Sequence, residues 1–213
     1  MTGDHLLHEK LYRSPALMQR LARVPVTVCG AGALGANLVE GLARSGFGGL
    51  KVIDRDRIEE HNLSTQPYAR ADIGSGKART LAHQLYRGVG VEVAFEHKEL
   101  SPDNCHKLLR GSELVVDCFD NTEARRCLSH YSRLKGVPCL HVGLAGGFAE
   151  ILWDEVYTVP EPAGQDLCDY PLARNLVLLA VAVAAEVVVG FVESGRRRNL
   201  TVTLADLKVA DFF

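Results

Sequence analysis

The sequence predicts an α/β protein whose β-sheet is doubly wound, mostly parallel and covered by helices on both faces. Apolar strand-like runs alternate with segments of helical periodicity between residues 24 and 147. A glycine-rich turn joins the first of these runs to the first helical segment. Strands that are separated by helices pair in parallel, and a parallel sheet needs cover on both of its faces.

Glycines and capping residues mark the ends of the predicted elements. The strand-like runs lie at 24–30, 49–54, 91–100, 113–120 and 138–147. The helical segments lie at 36–46, 76–88, 103–111 and 121–136, and each of them ends at a glycine. Two more strand-like segments, 150–159 and 199–210, follow toward the C-terminus, where we expect antiparallel pairing.

The most apolar run, 176–191, is predicted to be a buried helix. It is shorter than the roughly 20 residues that a bilayer requires, and Glu186 lies inside it. We therefore expect residues 1–213 to form a single nucleotide-binding domain. Its parts would be an N-terminal helical arm (1–23), the α/β core (24–147) and a region of C-terminal strands with the apolar helix (148–213).

Composition and charge describe an ordinary globular chain. Its 213 residues, 47% hydrophobic and 23% charged, suffice for one substantial core. A formal net charge of −2 gives no global field that would favour nucleic acid or a membrane surface as a partner. The six cysteines lack CxxC spacing, and the N-terminal segment lacks the apolar stretch of a signal peptide. These features predict a cytoplasmic protein with reduced thiols and no structural zinc.

The glycine turn, "GAGALG", has the G-x-G-x-x-G pattern of a Rossmann-like nucleotide site, with Gly30, Gly32 and Gly35 at its three positions. The first glycine permits a tight turn, the second lets backbone N–H groups approach a phosphate, and the third packs helix against strand. Asp54 ends the next strand, 22 residues after Gly32, where a carboxylate can bind ribose hydroxyls. This pattern alone leaves both NAD and ATP open as the nucleotide.

Three further polar residues bear on that choice. Asn62, Lys77 and Asp120 each have an ordinary interpretation as a turn cap, a solvated lysine and a helix cap. Together they favour a triphosphate, because a lysine and a carboxylate that holds Mg²⁺ neutralise phosphate oxygens. A nicotinamide dehydrogenase has no general need for them.

The motifs resemble those of the ThiF/MoeB/HesA family, prokaryotic relatives of ubiquitin-activating enzymes. The matching segments are "VCGAGALG", "DRDRIEEHNLSTQ", "GSGKA" and "DCFDN", in the family's order. The resemblance implies that Asp54 binds ribose, that Asn62 and Lys77 bind phosphates, and that Asp120 holds magnesium. It also assigns Asp56 and Gln66 to the nucleotide site. The arm "KLYRSPALMQRL" resembles the family's leading segment, whose arginine reaches the neighbouring protomer's nucleotide, and Arg13 is the matching residue.

Two positions depart from the family pattern or lie beyond its clear part. The arginine of the family's N-L-x-R-Q segment is Thr65 here, in a segment that we expect to be polar and exposed. Its loss removes a cation expected to stabilise the transferring phosphate, so either Arg13, Arg57 or Arg70 compensates or turnover is poor. Cys168 lies near the position of a cysteine that forms a thioester or persulfide in several members, but an inert thiol is at least as consistent with its neighbours.

The function that follows from the resemblance is ATP-dependent adenylation of the C-terminal glycine of a small ubiquitin-like sulfur carrier, by a homodimer that uses Mg²⁺. Two alternatives stay open. A non-catalytic nucleotide-binding partner subunit would explain Thr65. An NAD(P)-dependent oxidoreductase would explain the glycine turn and Asp54, but it leaves Asn62, Lys77 and Asp120 without a role.

Overall fold

A computed structural model describes residues 4–160 and 171–212. Within these residues one eight-stranded sheet has the order β3-β2-β1-β4-β5-β6-β7-β8. The strands are β1 Pro25–Cys29, β2 Gly49–Ile53, β3 Ala94–Glu96, β4 Leu114–Asp117, β5 Cys139–Ala145, β6 Phe148–Trp153, β7 Leu200–Thr203 and β8 Lys208–Asp211. The α-helices are α1 Leu7–Tyr12, α2 Pro15–Leu21, α3 Ala33–Arg44, α4 Lys77–Val89, α5 Cys105–Leu108, α6 Thr122–Lys135 and α7 Arg174–Ser194. Two 3₁₀ helices span Glu60–Ser64 and Arg70–Asp72.

The sheet confirms the predicted fold class. Strands β1 to β5 pair in parallel, and β1 lies between β2 and β4 with Cys29 beside both Ile53 and Asp117. The chain order reverses at β1, so the carboxyl ends of β1 and β4 open a crevice of the kind that binds ligands in doubly wound sheets. Strands β6, β7 and β8 then extend the sheet by antiparallel pairing.

Helices cover both faces of the parallel strands, because neighbouring residues of each strand point to opposite sides. Val28 and Val116 belong to a core that also contains residues of α3, α4 and α7. Cys29 and Val115, one position away on the same strands, belong to a second core with residues of α5 and α6.

Helix α7 is long and apolar enough to cross a membrane by length and composition. In this fold it packs against α3, α2 and β6. Leu176, Ala180, Ala184 and Val188, spaced four residues apart, are fully buried along one of its faces. The interpretation of 176–191 as a core helix is therefore confirmed.

Several predicted boundaries were too wide. The segment 113–120 is a strand only as far as Asp117, which is the last residue with a partner on both β1 and β5. Asp120 therefore lies three residues beyond the strand. The segment 91–100 contributes only the three residues of β3, and 103–111 only the single turn of α5.

Candidate nucleotide-binding site

The glycine turn follows β1 and requires glycine at two of its three positions. Gly30 has φ +97°, and a Cβ there would lie 2.9 Å from the carbonyl oxygen of Cys118. A Cβ at Gly35 would lie 1.9 Å from the carbonyl oxygen of Gly30. Gly32 differs, because an added Cβ would meet no atom of the described residues within 4 Å. Open space therefore adjoins Gly32, the N-cap of α3, where backbone N–H groups and the helix dipole favour an anion.

Asp54 ties this turn to the end of β2. Its Oδ2 accepts from the backbone N of Ala31 and its Oδ1 from that of Asp56, both at 2.6 Å. The residue is only 6% exposed, and burial raises its pKa, against the opposing effects of the Ala31 hydrogen bond and the Lys77 charge. The carboxylate that was predicted to bind ribose therefore holds the glycine turn through Ala31.

Lys77 is a buried lysine and not a solvated one. It opens α4, is 7% exposed, and places its Nζ 3.2 Å from Oδ2 of Asp56. Its own backbone N donates to the Asp56 carbonyl oxygen at 2.9 Å. The structure therefore brings Lys77, Asp54 and Asp56 together at the carboxyl end of β2.

The segment around Asn62 is hydrogen-bonded to α3. Asn62 is buried, and its Oδ1 accepts from the backbone N of Glu59 at 2.9 Å, so its side chain does cap the 3₁₀ helix Glu60–Ser64. Asn37 of α3 donates from Nδ2 to the carbonyl oxygen of Thr65 at 2.8 Å. Gln66 is also buried, and its Oε1 has no hydrogen-bond partner within the part of the chain that the structure describes.

The expectation that Thr65 lies in an exposed segment was wrong. Thr65 is 7% exposed. The polar letters of "NLSTQ" suggested a surface loop, but the hydrogen bond from Asn37 holds its backbone against α3. Polar segments are usually exposed, but this one is buried because it is hydrogen-bonded to α3.

Asp120 is an exposed carboxylate on the loop between β4 and α6. The pKa of Arg55, whose neighbour in sequence is Asp54, is raised mainly by its hydrogen bond to Glu99 and also by the charges of Asp56 and Asp120. Asp120 and the Asp54–Asp56 segment both follow the carboxyl ends of parallel strands, β4 and β2, which lie on either side of β1. Residues 4–160 and 171–212 contain no group of three or more His, Cys, Asp or Glu side chains arranged for a metal ion. Magnesium usually takes one or two carboxylates together with waters and substrate oxygens, so a single exposed carboxylate fits that ion.

Arg13 is held within its own chain. Its Nε lies 2.6 Å from Glu9, and its Nη2 lies 2.5 Å from Glu186 on α7. Burial disfavours the guanidinium charge, but the hydrogen bonds to Glu186 and Glu9 outweigh it and raise the pKa of Arg13. The other residue predicted from the family's chemistry, Cys168, lies outside the described residues.

Sequence reasoning missed a polar cluster next to Asp120 in the fold, formed by the buried side chains of Asp117, His141 and Tyr157 and the half-buried Arg125. His141 Nδ1 lies 2.8 Å from Asp117 Oδ2, and the rings of His141 and Tyr157 stack with centroids 3.8 Å apart. Asp117 stands in the motif "DCFDN", but its partner is 24 residues away on β5. Only the sheet register brings the two together.

The chain is similar to several enzymes of known name. The SAMP-activating enzyme E1 of Haloferax volcanii is 36% identical over 140 residues, which are 64% of this chain and 51% of that protein. The sulfur carrier protein ThiS adenylyltransferase of Bacillus subtilis is 29% identical over 153 residues, 70% of this chain and 46% of that protein. The tRNA threonylcarbamoyladenosine dehydratase of Escherichia coli is 32% identical over 142 residues, 65% of this chain and 52% of that protein. The chain thus spans about half the length of these relatives.

The fold and the family agree with the predicted resemblance. The crystal structure of E. coli MccB with ATP has a TM-score of 0.81 to this chain at 19% identity, covering 99% of this chain and 72% of that one. At this identity the likeness concerns the fold, and it includes the antiparallel strands and α7. The model of the ThiF family matches residues 7–153, which contain the glycine turn, Asp54, Lys77 and Asp120. The chain therefore belongs to the ThiF family.

Proposed function

We propose that the protein is an ATP-dependent adenylyltransferase that activates the C-terminal glycine carboxylate of a small ubiquitin-like sulfur carrier. The observation that carries this proposal is the position of Lys77, which is buried beside Asp54 and Asp56 at the edge of the sheet that also bears the glycine turn. A buried ammonium next to a helix N-terminus suits a triphosphate. The activity named for the Bacillus subtilis relative supports the same reaction class.

In the proposed reaction an oxygen of the carrier carboxylate attacks the α-phosphorus of ATP. The bond from that phosphorus to the bridging oxygen breaks, and pyrophosphate leaves with the electron pair, giving an acyl adenylate. The backbone N–H groups after Gly32 would bind phosphate oxygens, Lys77 would neutralise them, and Asp54 would orient the ribose. The protein contributes position and charge to this step and needs no nucleophile of its own.

Asp120 would hold the magnesium ion, which supplies further charge neutralisation at the phosphate oxygens. Its exposure leaves the carboxylate free to face a nucleotide in the crevice.

The assembly is also part of the proposal. We expect a cytoplasmic homodimer without structural zinc, in which Arg13 reaches the partner's nucleotide. Because Arg13 pairs with Glu9 and Glu186 in its own chain, this role requires those ion pairs to open. Cys168 remains the candidate thiol for accepting the activated acyl group.

A second candidate is a nucleotide-binding subunit without catalytic activity. Two observations favour it, the threonine at the family's arginine position and the engagement of Arg13 by two carboxylates. Both would leave the site short of a cation at the transferring phosphate.

ATP–pyrophosphate exchange, with a carrier protein that ends in Gly-Gly, tests the proposal. We expect Mg²⁺-dependent exchange in the wild type and its loss in Asp120→Ala, with an unchanged melting temperature because the side chain is exposed. ATP binding without exchange would favour the non-catalytic subunit. A melting temperature raised by NADH but not by ATP with Mg²⁺ would favour the oxidoreductase.

A further inference from the structure

The cluster next to Asp120 forms a closed circuit of contacts around the main chain of Phe119. Oδ1 of Asp117 accepts from the Phe119 backbone N at 3.0 Å, and Arg125 Nε donates to the Phe119 carbonyl oxygen at 2.6 Å. Arg125 Nη1 donates to the Tyr157 hydroxyl at 2.6 Å. The ring of Tyr157 stacks on His141, whose Nδ1 returns to Asp117. We call these four side chains the Asp117 circuit.

The carboxylate and the imidazole of this circuit are buried and hydrogen-bonded to each other. The side chain of Asp117 is fully buried and that of His141 is 2% exposed. A buried carboxylate is costly unless it is hydrogen-bonded and balanced by charge. Here both oxygens accept hydrogen bonds, and the charge of Arg125 balances that of Asp117. Nε2 of His141 has no partner among the described residues, which suits the tautomer that carries its hydrogen on Nδ1 and donates it to Asp117.

Phe119, the residue before Asp120, has both its backbone N–H and its carbonyl oxygen hydrogen-bonded to side chains of the Asp117 circuit. The residue after Asp120, Asn121, is fixed as well, because its Oδ1 accepts from the backbone N of Ala124 and so caps α6. Asp120 is therefore exposed at its side chain while its backbone is anchored on both sides.

We propose that the Asp117 circuit is a positioning device that orients the Asp120 carboxylate toward the magnesium–nucleotide complex, with Arg125 and Tyr157 as its positioning residues. This inference rests on the proposed nucleotide-binding function. Neither residue needs to touch the nucleotide, because each acts through the Phe119 carbonyl. The device joins the two halves of the sheet, since Tyr157 follows the antiparallel strand β6 whereas Asp117 ends the parallel strand β4.

The test measures ATP affinity by calorimetry in a Mg²⁺ titration and again in excess EDTA. We expect Arg125→Ala to raise the Mg²⁺ concentration for half-maximal ATP binding at least tenfold and to change the affinity in EDTA less than twofold. Tyr157→Phe, which keeps the ring but removes the hydroxyl, should give a smaller shift in the same direction. Arg133→Ala removes an exposed arginine from the same helix and should change neither value.

A second measurement tests the same device in the absence of nucleotide. Hydrogen exchange of the backbone amides at 119–121 should accelerate in Arg125→Ala and Tyr157→Phe but not in Arg133→Ala. An unchanged Mg²⁺ requirement in a folded Arg125→Ala or Tyr157→Phe would overturn the inference, as would equal losses of affinity with Mg²⁺ and with EDTA. Wild-type protein that binds ATP with Mg²⁺ but shows no exchange would overturn the proposed catalysis alone. Wild-type protein that binds no ATP would overturn both.

Discussion

Thr65 shows how a single residue links the family's chemistry to the packing of this chain. Its backbone carbonyl accepts from Asn37, and its side chain is nearly excluded from solvent. An arginine at this position would have to displace its neighbours or extend toward the proposed phosphate site. The melting temperature of such a variant therefore tests whether the arginine crowds its neighbours, and its exchange rate tests whether the guanidinium reaches the phosphate site.

We expect Thr65→Arg to lower the melting temperature, because overpacking a buried site costs about 2 kcal/mol, or roughly 4–8 °C in a chain of this size. If the guanidinium reaches the transferring phosphate, exchange per folded molecule should rise about ten- to a hundredfold, as about 1.5–3 kcal/mol of charge-assisted hydrogen bonding allows. Thermal denaturation and ATP–pyrophosphate exchange measure the two effects. Thr65→Val is the control of similar volume and should leave exchange unchanged. A melting temperature and an exchange rate that are both unaltered in Thr65→Arg would contradict the observed burial, because the guanidinium would then neither crowd its neighbours nor reach the phosphate site.

The glycine turn and the start of α3 act as one element, and its glycines have different roles. The Cβ of an alanine at Gly35 would collide with the Gly30 backbone, whereas at Gly32 it would enter open space beside the helix N-terminus. The first substitution strains the fold. The second fills room that a phosphate would occupy.

Gly35→Ala should therefore reduce the free energy of unfolding by more than about 2 kcal/mol. Gly32→Ala should fold with nearly wild-type stability but bind ATP at least tenfold more weakly. Urea denaturation and calorimetry measure the two quantities. A Gly35→Ala variant of wild-type stability would contradict the close approach of α3 to the Gly30 carbonyl, and unimpaired ATP binding by Gly32→Ala would exclude the open space as the phosphate site.

The elements that the sequence predicted correctly are those whose signals are local. The glycine turn, Asp54 at the end of β2 and the apolar helix α7 each follow from residues within one turn, one strand or one helix. The burial of Thr65 and of Lys77 depends on contacts with Asn37 and Asp56, which lie 28 and 21 residues away. The Asp117–His141 pair likewise depends on sheet register. Such contacts leave no periodic pattern in the sequence, so only the assembled fold reveals them.

Across the whole molecule, burial makes the described cysteines poor nucleophiles. The five at positions 29, 105, 118, 127 and 139 are free thiols. Burial raises the pKa of Cys29, Cys118 and Cys139, and raises that of Cys127 to about 12. Because the thiolate is the reactive form, these four thiols should resist alkylation in the native state. Cys105 should resist it because the residue is 5% exposed and the reagent cannot reach it.

Iodoacetamide at pH 8, followed by peptide mapping, should leave these five cysteines unmodified in the native protein and label them after unfolding. Against this background, labelling of Cys168 in the native protein would make it the candidate acyl acceptor. Rapid labelling of Cys29 or Cys139 without unfolding would contradict the buried strands that hold them.

Arg13 allows a test of the proposed homodimer, because it has two competing roles. In its own chain it joins the N-terminal arm to α7 through Glu186. In the proposed dimer it would leave that contact and act on the partner's nucleotide. If Arg13 acts within its own chain, its loss impairs the site of the same protomer. If it acts on the partner's nucleotide, its loss impairs the partner's site.

We expect Arg13→Ala and Asp120→Ala to be inactive alone and to regain about a quarter of wild-type exchange when unfolded and refolded together in equal amounts. In a symmetric dimer, half of the randomly assembled molecules are hybrids, and each hybrid would have one site with both an intact Asp120 and an intact partner Arg13. Gel filtration must show that each variant still forms dimers. Glu186→Ala is the control for the arm contact, because Glu186 is the exposed member of that ion pair and Arg13 keeps its second partner, Glu9, so the change should leave exchange intact. If the mixed variants form dimers but recover no activity, Arg13 acts only within its own chain. In that case every site of a hybrid dimer lacks either Arg13 or Asp120, so no site is complete.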